Sequence, residues 1–225
     1  MPRIALLAFA LLGTLPLHAE GLEAVERESW QEKIAPRAVV RIDNTHGDIR
    51  LRKAGAEPIM EVAAVLQQLA TDGSKLSLEV TPSDEIIDVR VIRVGGTGND
   101  RQPSAEGPKP RADLAVLVPV VHPLQATTDH GLIEARGLES DIELRTTDGD
   151  ILANRIHGAV TTANMRGTTE MTLLANVTTT SQKLSSSTGP IKVFTPRINR
   201  LEVTMTTSGT MTTDFTLLVE HLDGR

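Results

Sequence analysis

The chain has no cysteine and no tyrosine, and its 225 residues include one tryptophan and three phenylalanines. Without cysteine there can be no disulfide framework, thiolate metal site or cysteine nucleophile. With so few aromatics there is no extended platform on which bases or sugars could stack. The 23 Lys+Arg and 29 Asp+Glu give a formal charge of −6 with no basic block, which excludes the electrostatic footprint of a nucleic-acid binder. Familiar chemical signatures are missing as well. There is no Gly-x-Ser-x-Gly elbow, no P-loop, dinucleotide fingerprint or EF-hand spacing, and no Gly-Gly-x-Gly-x-Asp calcium repeat. Hydrophobic residues still make up 40% of the chain, so its core must be built from Val, Ile, Leu and Met, with Thr beside them.

What is present begins with an address. Arg3 precedes a nearly unbroken apolar run from Ile4 to Leu17, and Leu17-His18-Ala19 ends in a small residue before Glu20. Residues 1–19 therefore read as a cleaved secretory signal, too short for a comfortable membrane span. No later stretch is apolar enough to cross a bilayer as a helix, so the expected mature chain is exported, periplasmic or extracellular, without a transmembrane segment. Its aromatics would be Trp30, Phe194 and Phe215. Freedom from cysteine suits an oxidising space.

The back half is a repeat. Glycines fall at 131, 149, 167, 189 and 209, at intervals of 18, 18, 22 and 20 residues, and all but Gly167 follow Thr- or Ser-rich sequence. Apolar residues recur two and four places later: Ile133 and Ala135, Ile151 and Ala153, Ile191 and Val193. The versions Thr169/Met171 and Met211/Thr213 are weaker, and an isolated early copy is Asn44-Thr45-His46-Gly47-Asp48-Ile49-Arg50-Leu51. Positions i and i+2 share a face of a strand, and a glycine before each strand supplies the conformation at which the chain turns. Leu138, Ile142 and Leu144, then Ile156 and Val160, complete successive units. Short strands in units of about 20 residues describe the coils of a parallel β-solenoid. The 21 Thr among the 90 residues from Thr127 to Thr216 then become rows able to exchange hydrogen bonds between coils. An antiparallel sandwich also has short strands, but it does not require one glycine with fixed apolar offsets at a near-constant interval.

The expectation is an all-β chain, a parallel β-solenoid with an irregular N-terminal capping region. Residues 20–37 form a lead-in or cap containing Trp30. Residues 38–121 form N-terminal coils with a Gly/Pro-rich loop over 95–111. Residues 122–216 form the regular glycine-marked coils, and 217–225 a tail or second cap. Strands are expected at Val39–Ile42, Asp48–Leu51, Leu76–Val80, Ile86–Val94 and Leu114–Val121. Met60 to Leu69 has helical composition yet also suits a buried strand, and both assignments stay open.

The run Val40-Arg41-Ile42-Asp43-Asn44-Thr45-His46-Gly47-Asp48-Ile49 resembles the opening strand–glycine–strand of a bacterial family of β-strand-repeat domains, adhesin-like and related to the head domain called GIN. The Leu114–Pro119 strand, the Thr-Thr-x-x-Gly and Thr-Thr-Asp-Gly coils and the closing Thr206–Phe215 segment fit it too, over about residues 38–216. Gly167 and the 22-residue interval after it depart from the pattern. The resemblance implies an exported or surface-facing β-solenoid without established catalytic residues.

Residues with eligible chemistry gather at the glycine turns: Asp129, His130, Asp148, Asp150 and His157. Stacked coils could bring Asp129 and Asp148 near one another, as a Ca²⁺ site or an acid–base pair needs. Asp before Gly is, however, an ordinary turn residue. His46, His122 and His130 are not at metal-ligand intervals, and Ser185-Ser186-Ser187 has no base placed for it. Asn176-Val177-Thr178 matches a glycosylation acceptor but, given the bacterial resemblance, reads as coincidence. No catalytic, cofactor or metal residue is assigned. The expected function is a non-enzymatic, adhesin-like or envelope-associated scaffold binding a protein or glycan of the cell envelope. One alternative is a polysaccharide-cleaving solenoid using Asp129, Asp148 or Asp150 with Arg136 or Arg145. Another is an accessory protein of an envelope stress pathway.

Overall fold

The computed structural model describes residues 22–55, 57–69, 75–95, 109–174, 181–196, 210 and 212. The expected signal, most of the 95–111 loop, Asn176-Val177-Thr178, Gly209 with most of its repeat copy, and the 217–225 tail lie outside the described residues. Those described form strands and no helix. One sheet has the order β1 (Leu22–Lys33), β4 (Ile59–Leu69), β7 (Arg111–Val118), β3 (Ile49–Lys53), β9 (Ile133–Arg136), β11 (Ile151–Asn154), β13 (Thr169–Thr172), β15 (Ile191–Phe194). The other runs β14 (Gln182–Ser186), β12 (Val160–Arg166), β10 (Ile142–Asp148), β8 (Leu124–His130), β2 (Val39–His46), β6 (Ile86–Val94), β5 (Lys75–Pro82).

From β8 onward the chain alternates between the sheets, and each glycine marks a crossing. Strands one interval apart pair in parallel: Leu124 with Ile142 and Ile142 with Val160 in one sheet, Ile133 with Ile151 and Ile151 with Thr169 in the other. The 22-residue interval does not disturb this, because Val160 still faces Gln182 and Thr169 faces Ile191. Its extra residues fall between β13 and β14. The inner faces of both sheets join in one apolar cluster. Ile49, Ile133 and Ile151 stack within it without solvent exposure, and so do Leu51, Ala135 and Ala153. Burying each large aliphatic chain contributes about 1.5–3 kcal/mol. Leu138, Ile142, Leu144, Ile156 and Val160 are buried as their spacing predicts.

The sheets are mixed rather than wholly parallel. β4 runs antiparallel to both β1 and β7, and β5 antiparallel to β6. Only Ser83, Asp84 and Glu85 separate β5 from β6, and a parallel crossover needs a dozen residues or more. The Ser83 hydroxyl and backbone N–H both donate to the Ile86 carbonyl, closing that turn at 2.8 and 2.9 Å. Residues 60–69 lie within strand β4, with Met60, Val62, Ala64 and Leu66 buried on one face. There, alternation of period two overrides a helix-favouring composition. In the lead-in, β1 is an edge strand whose Trp30 packs against the core.

Candidate binding surface at the glycine corner

Each corner places its glycine against the one before it. A Cβ added at Gly131 would lie 2.1 Å from the Gly47 carbonyl oxygen; at Gly149, 2.0 Å from that of Gly131; at Gly167, 2.1 Å from that of Gly149. These three have φ of +151°, +155° and +124°, where L side chains are strained. The recurrent glycine thus answers both a torsion and a backbone approach.

Three residues before each glycine stands a small polar side chain: Asn44, Thr128, Thr146, Asn164. They are buried and in register across β2, β8, β10 and β12. Asn44 Nδ2 donates to the Ala112 carbonyl at 2.8 Å and to that of Gly47 at 3.3 Å. Thr128 Oγ1 donates to the Gly47 carbonyl at 3.2 Å, Thr146 Oγ1 to that of Gly131 at 3.4 Å, and Asn164 Nδ2 to that of Gly149 at 3.0 Å. From Thr128 onward each repeat thereby supplies a donor to the preceding corner's carbonyl, which burial would otherwise make costly. Sequence reasoning saw Thr-rich approaches but not this role; the constant three-residue offset was the available signal. It also makes the Gly167 repeat regular, since Asn164 takes the position of Thr.

The residue after the glycine, and Asp113 after Ala112 at the equivalent place in β7, act in the opposite sense. Asp113 Oδ1 accepts the Asp48 N–H at 2.9 Å, Asp48 Oδ1 that of Leu132 at 3.1 Å, and Asp150 Oδ1 that of Thr168 at 2.7 Å. Arg111 lies 2.5 Å from Asp113 and 3.6 Å from Asp48. Burial works against its charge, but the hydrogen bond to Asp113 and the charges of Asp113 and Asp48 prevail and hold its pKa above the ordinary value.

At the position before the glycine, His46, His130, Asp148 and Arg166 stand in one column. The two imidazoles stack with centroids 4.7 Å apart. Asp148 Oδ2 is 3.2 Å from Arg166 and 3.8 Å from His130 Nδ1. Asp148 faces His130 in register, so it has an Arg and a His as neighbours rather than the Asp129 carboxylate. Asp129 sits exposed one position earlier, and Asp150 is tied to Thr168. His157 is exposed on the segment after β11, Arg136 ends β9, and Arg145 is paired with Glu143. His122 is buried with Nδ1 3.0 Å from the Ala38 carbonyl. Ser185 Oγ donates to the Thr162 carbonyl at 2.7 Å. Among the described residues no three His, Asp or Glu converge as metal ligands.

On the outer side of the second sheet the strand ends form a shallow groove of about 350 Å³, lined by Thr127, Arg145, Thr147, Ala163, Met165 and Ser185 among others. Met165 is 56% exposed. The groove offers hydroxyls, one guanidinium and one adaptable thioether.

No protein-family model matches this chain, and no curated protein matches it. It is similar to the crystal structure of a putative cell adhesion protein from Clostridium sporogenes ATCC 15579, with a TM-score of 0.50 and 8% identity, over 76% of this chain and 100% of that one. At this identity the likeness is one of fold. A putative adhesin from Bacteroides fragilis NCTC 9343 aligns at 10% identity over 75% of this chain and 97% of its own, with a TM-score of 0.23.

Proposed function

We propose that the chain is an exported, non-enzymatic β-solenoid of adhesin-like kind, a rigid scaffold that binds a protein or glycan of the cell envelope. In this reading residues 1–19 are removed, 20–37 cap the first coils, 38–121 and 122–216 form the stack, and 217–225 trail from it or cap its far end. The kinship with the GIN head domain belongs to the same reading and rests on the sequence motifs. One observation carries it: the polar residues that recur at the corners are used to hold coils together. Asn44, Thr128, Thr146 and Asn164 donate to corner carbonyls, while Asp48, Asp113 and Asp150 accept corner N–H groups. A frame maintained in this way displays its outer columns at fixed spacing, and recognition then falls to surface side chains and loops. The fold likeness to a protein named for cell adhesion supports it.

The test is affinity capture with the tagged mature chain from an envelope extract, beside a glycan panel. The expected result is retention of one envelope protein or glycan without turnover, reduced at least tenfold by Arg145→Ala with Met165→Ala. Cleavage of an acidic polysaccharide that disappears in Asp148→Asn would refute the reading.

A further inference from the structure

His46 ends β2 and His130 ends β8, 84 positions apart in the chain, yet they face each other in register. Their rings are stacked at 4.7 Å with planes inclined by 23°. This contact has a particular place in the topology. Strands β4 to β7 intervene in sequence between the early copy of the repeat and the regular ones, and all pair on the N-terminal side of β2 and β3. The pairings β2–β8 and β3–β9 are therefore the seam at which the N-terminal strands join the glycine-marked stack.

Several charged groups face the imidazoles. From β8 come His130 itself and Asp129; from the segment entering β7 comes Lys109. Arg111 of β7 is engaged by Asp113 and Asp48, and beyond His130 lies Asp148 of β10, held by Arg166 of β12. His46 Nε2 is buried without a hydrogen-bond partner. Neutral rings stack here without difficulty. Two imidazoliums at this separation would repel, with Lys109 adding to the charge and Asp129 offsetting part of it.

We propose that this seam is an acid-sensitive joint: protonation of His46, stacked on His130, loosens β2 from β8, while the pairings among β9, β11 and β13 hold. The direction follows from linkage. Burial, then the charges of His130 and Lys109, hold His46 below its ordinary 6.5, against the opposing pull of Asp129. A histidine that binds its proton more weakly when folded than when unfolded contributes stability above about pH 6.5, and that contribution is lost as the pH falls toward the folded value. The proposal does not depend on what the chain binds.

The test uses the full mature chain. Histidine C2–H resonances are titrated from pH 8 to 4.5, and amide-exchange protection factors are compared at pH 7.5 and 5.0. His46 is expected to titrate below 6.5. Protection at Thr45–Gly47 and Asp129–Gly131 should fall at least tenfold more than at Ile151–Asn154 and Thr169–Thr172. In His46→Gln the melting temperature should drop less between the two pH values than in the parent chain, by about 3–5 °C for each tenfold weakening of His46 protonation. Titration of His46 at or above 6.5, or an even loss of protection across all these strands, would overturn the proposal. The first two measurements need no variant.

Discussion

Replacing Gly149 with alanine tests the logic of the corner most directly. The added Cβ would meet the Gly131 carbonyl oxygen at 2.0 Å and its carbon at 2.6 Å, backbone atoms that cannot rotate away. The residue also sits at φ +155°, a conformation L side chains rarely adopt. The torsional cost is about 1–3 kcal/mol, and forcing the corner apart adds about 1–3 kcal/mol more. Two hydrogen bonds are put at risk: the Gly149 N–H to the Arg166 carbonyl at 2.9 Å, and Asn164 Nδ2 to the Gly149 carbonyl at 3.0 Å. The sum, roughly 2–6 kcal/mol, is a large share of a typical domain stability of about 5–15 kcal/mol. Three other glycines separate the contributions. Gly158 has no positive φ, but its Cβ would lie 2.2 Å from Ser140 backbone, so it isolates sterics. Gly137 has φ +69° and open space, isolating torsion at about 1–2 kcal/mol. Gly55 has neither constraint, so alanine there should be neutral or stabilising by under about 1 kcal/mol. Urea midpoints at constant slope, with melting temperatures, would rank them Gly149 worst and Gly55 least. If Gly149→Ala proved as stable as Gly55→Ala, the idea that the glycine interval records backbone contact between successive repeats would be wrong.

Asn164 offers a test in the opposite direction. Its Oδ1 is buried without a partner while its Nδ2 serves the Gly149 carbonyl. Asn164→Thr, copying Thr128 and Thr146, should therefore melt at the same temperature or slightly higher, whereas Asn164→Val should lose about 1–3 kcal/mol in urea titration. Glu28 of β1 accepts the Leu78 N–H of edge strand β5 at 2.7 Å. Glu28→Ala should lower stability by about 1–2 kcal/mol and speed association through the freed edge, read by light scattering. Glu139 should titrate below its ordinary value because Lys53 Nζ donates to it at 2.6 Å. Carboxyl NMR should show Lys53→Met returning it to the ordinary range.

The local alternation and the glycine interval depend only on nearest chemistry, so both were readable in the linear order of residues. Inward positions such as Ile133, Ile151, Leu144 and Val160 must be apolar because they face the core. Corner positions must lack a Cβ because the preceding corner's backbone occupies its place. The direction of β4 and β5 was less legible, since an alternating strand reads alike whether its neighbour is parallel or antiparallel. Connection length decides that, and only the short Ser83–Glu85 link spoke to it.

The candidate surface divides in the same way. Asp129, Asp148 and Asp150 were visible as turn residues, but their partners were not. Asp150 works on the Thr168 N–H and Asp148 on Arg166, groups one full repeat away. The stacking of His46 on His130 crosses the whole β4–β7 excursion, and no spacing rule reaches over so irregular a stretch.

The sequence by itself therefore determined the all-β character, the inward faces and the places where the chain turns, because these follow from the period of a strand and the steric limits of single residues. Tertiary structure alone decided which turn lies on which, which strands reverse, and which two histidines meet. Those depend on register between segments distant in the chain, and register is a property of the packed core rather than of any local stretch.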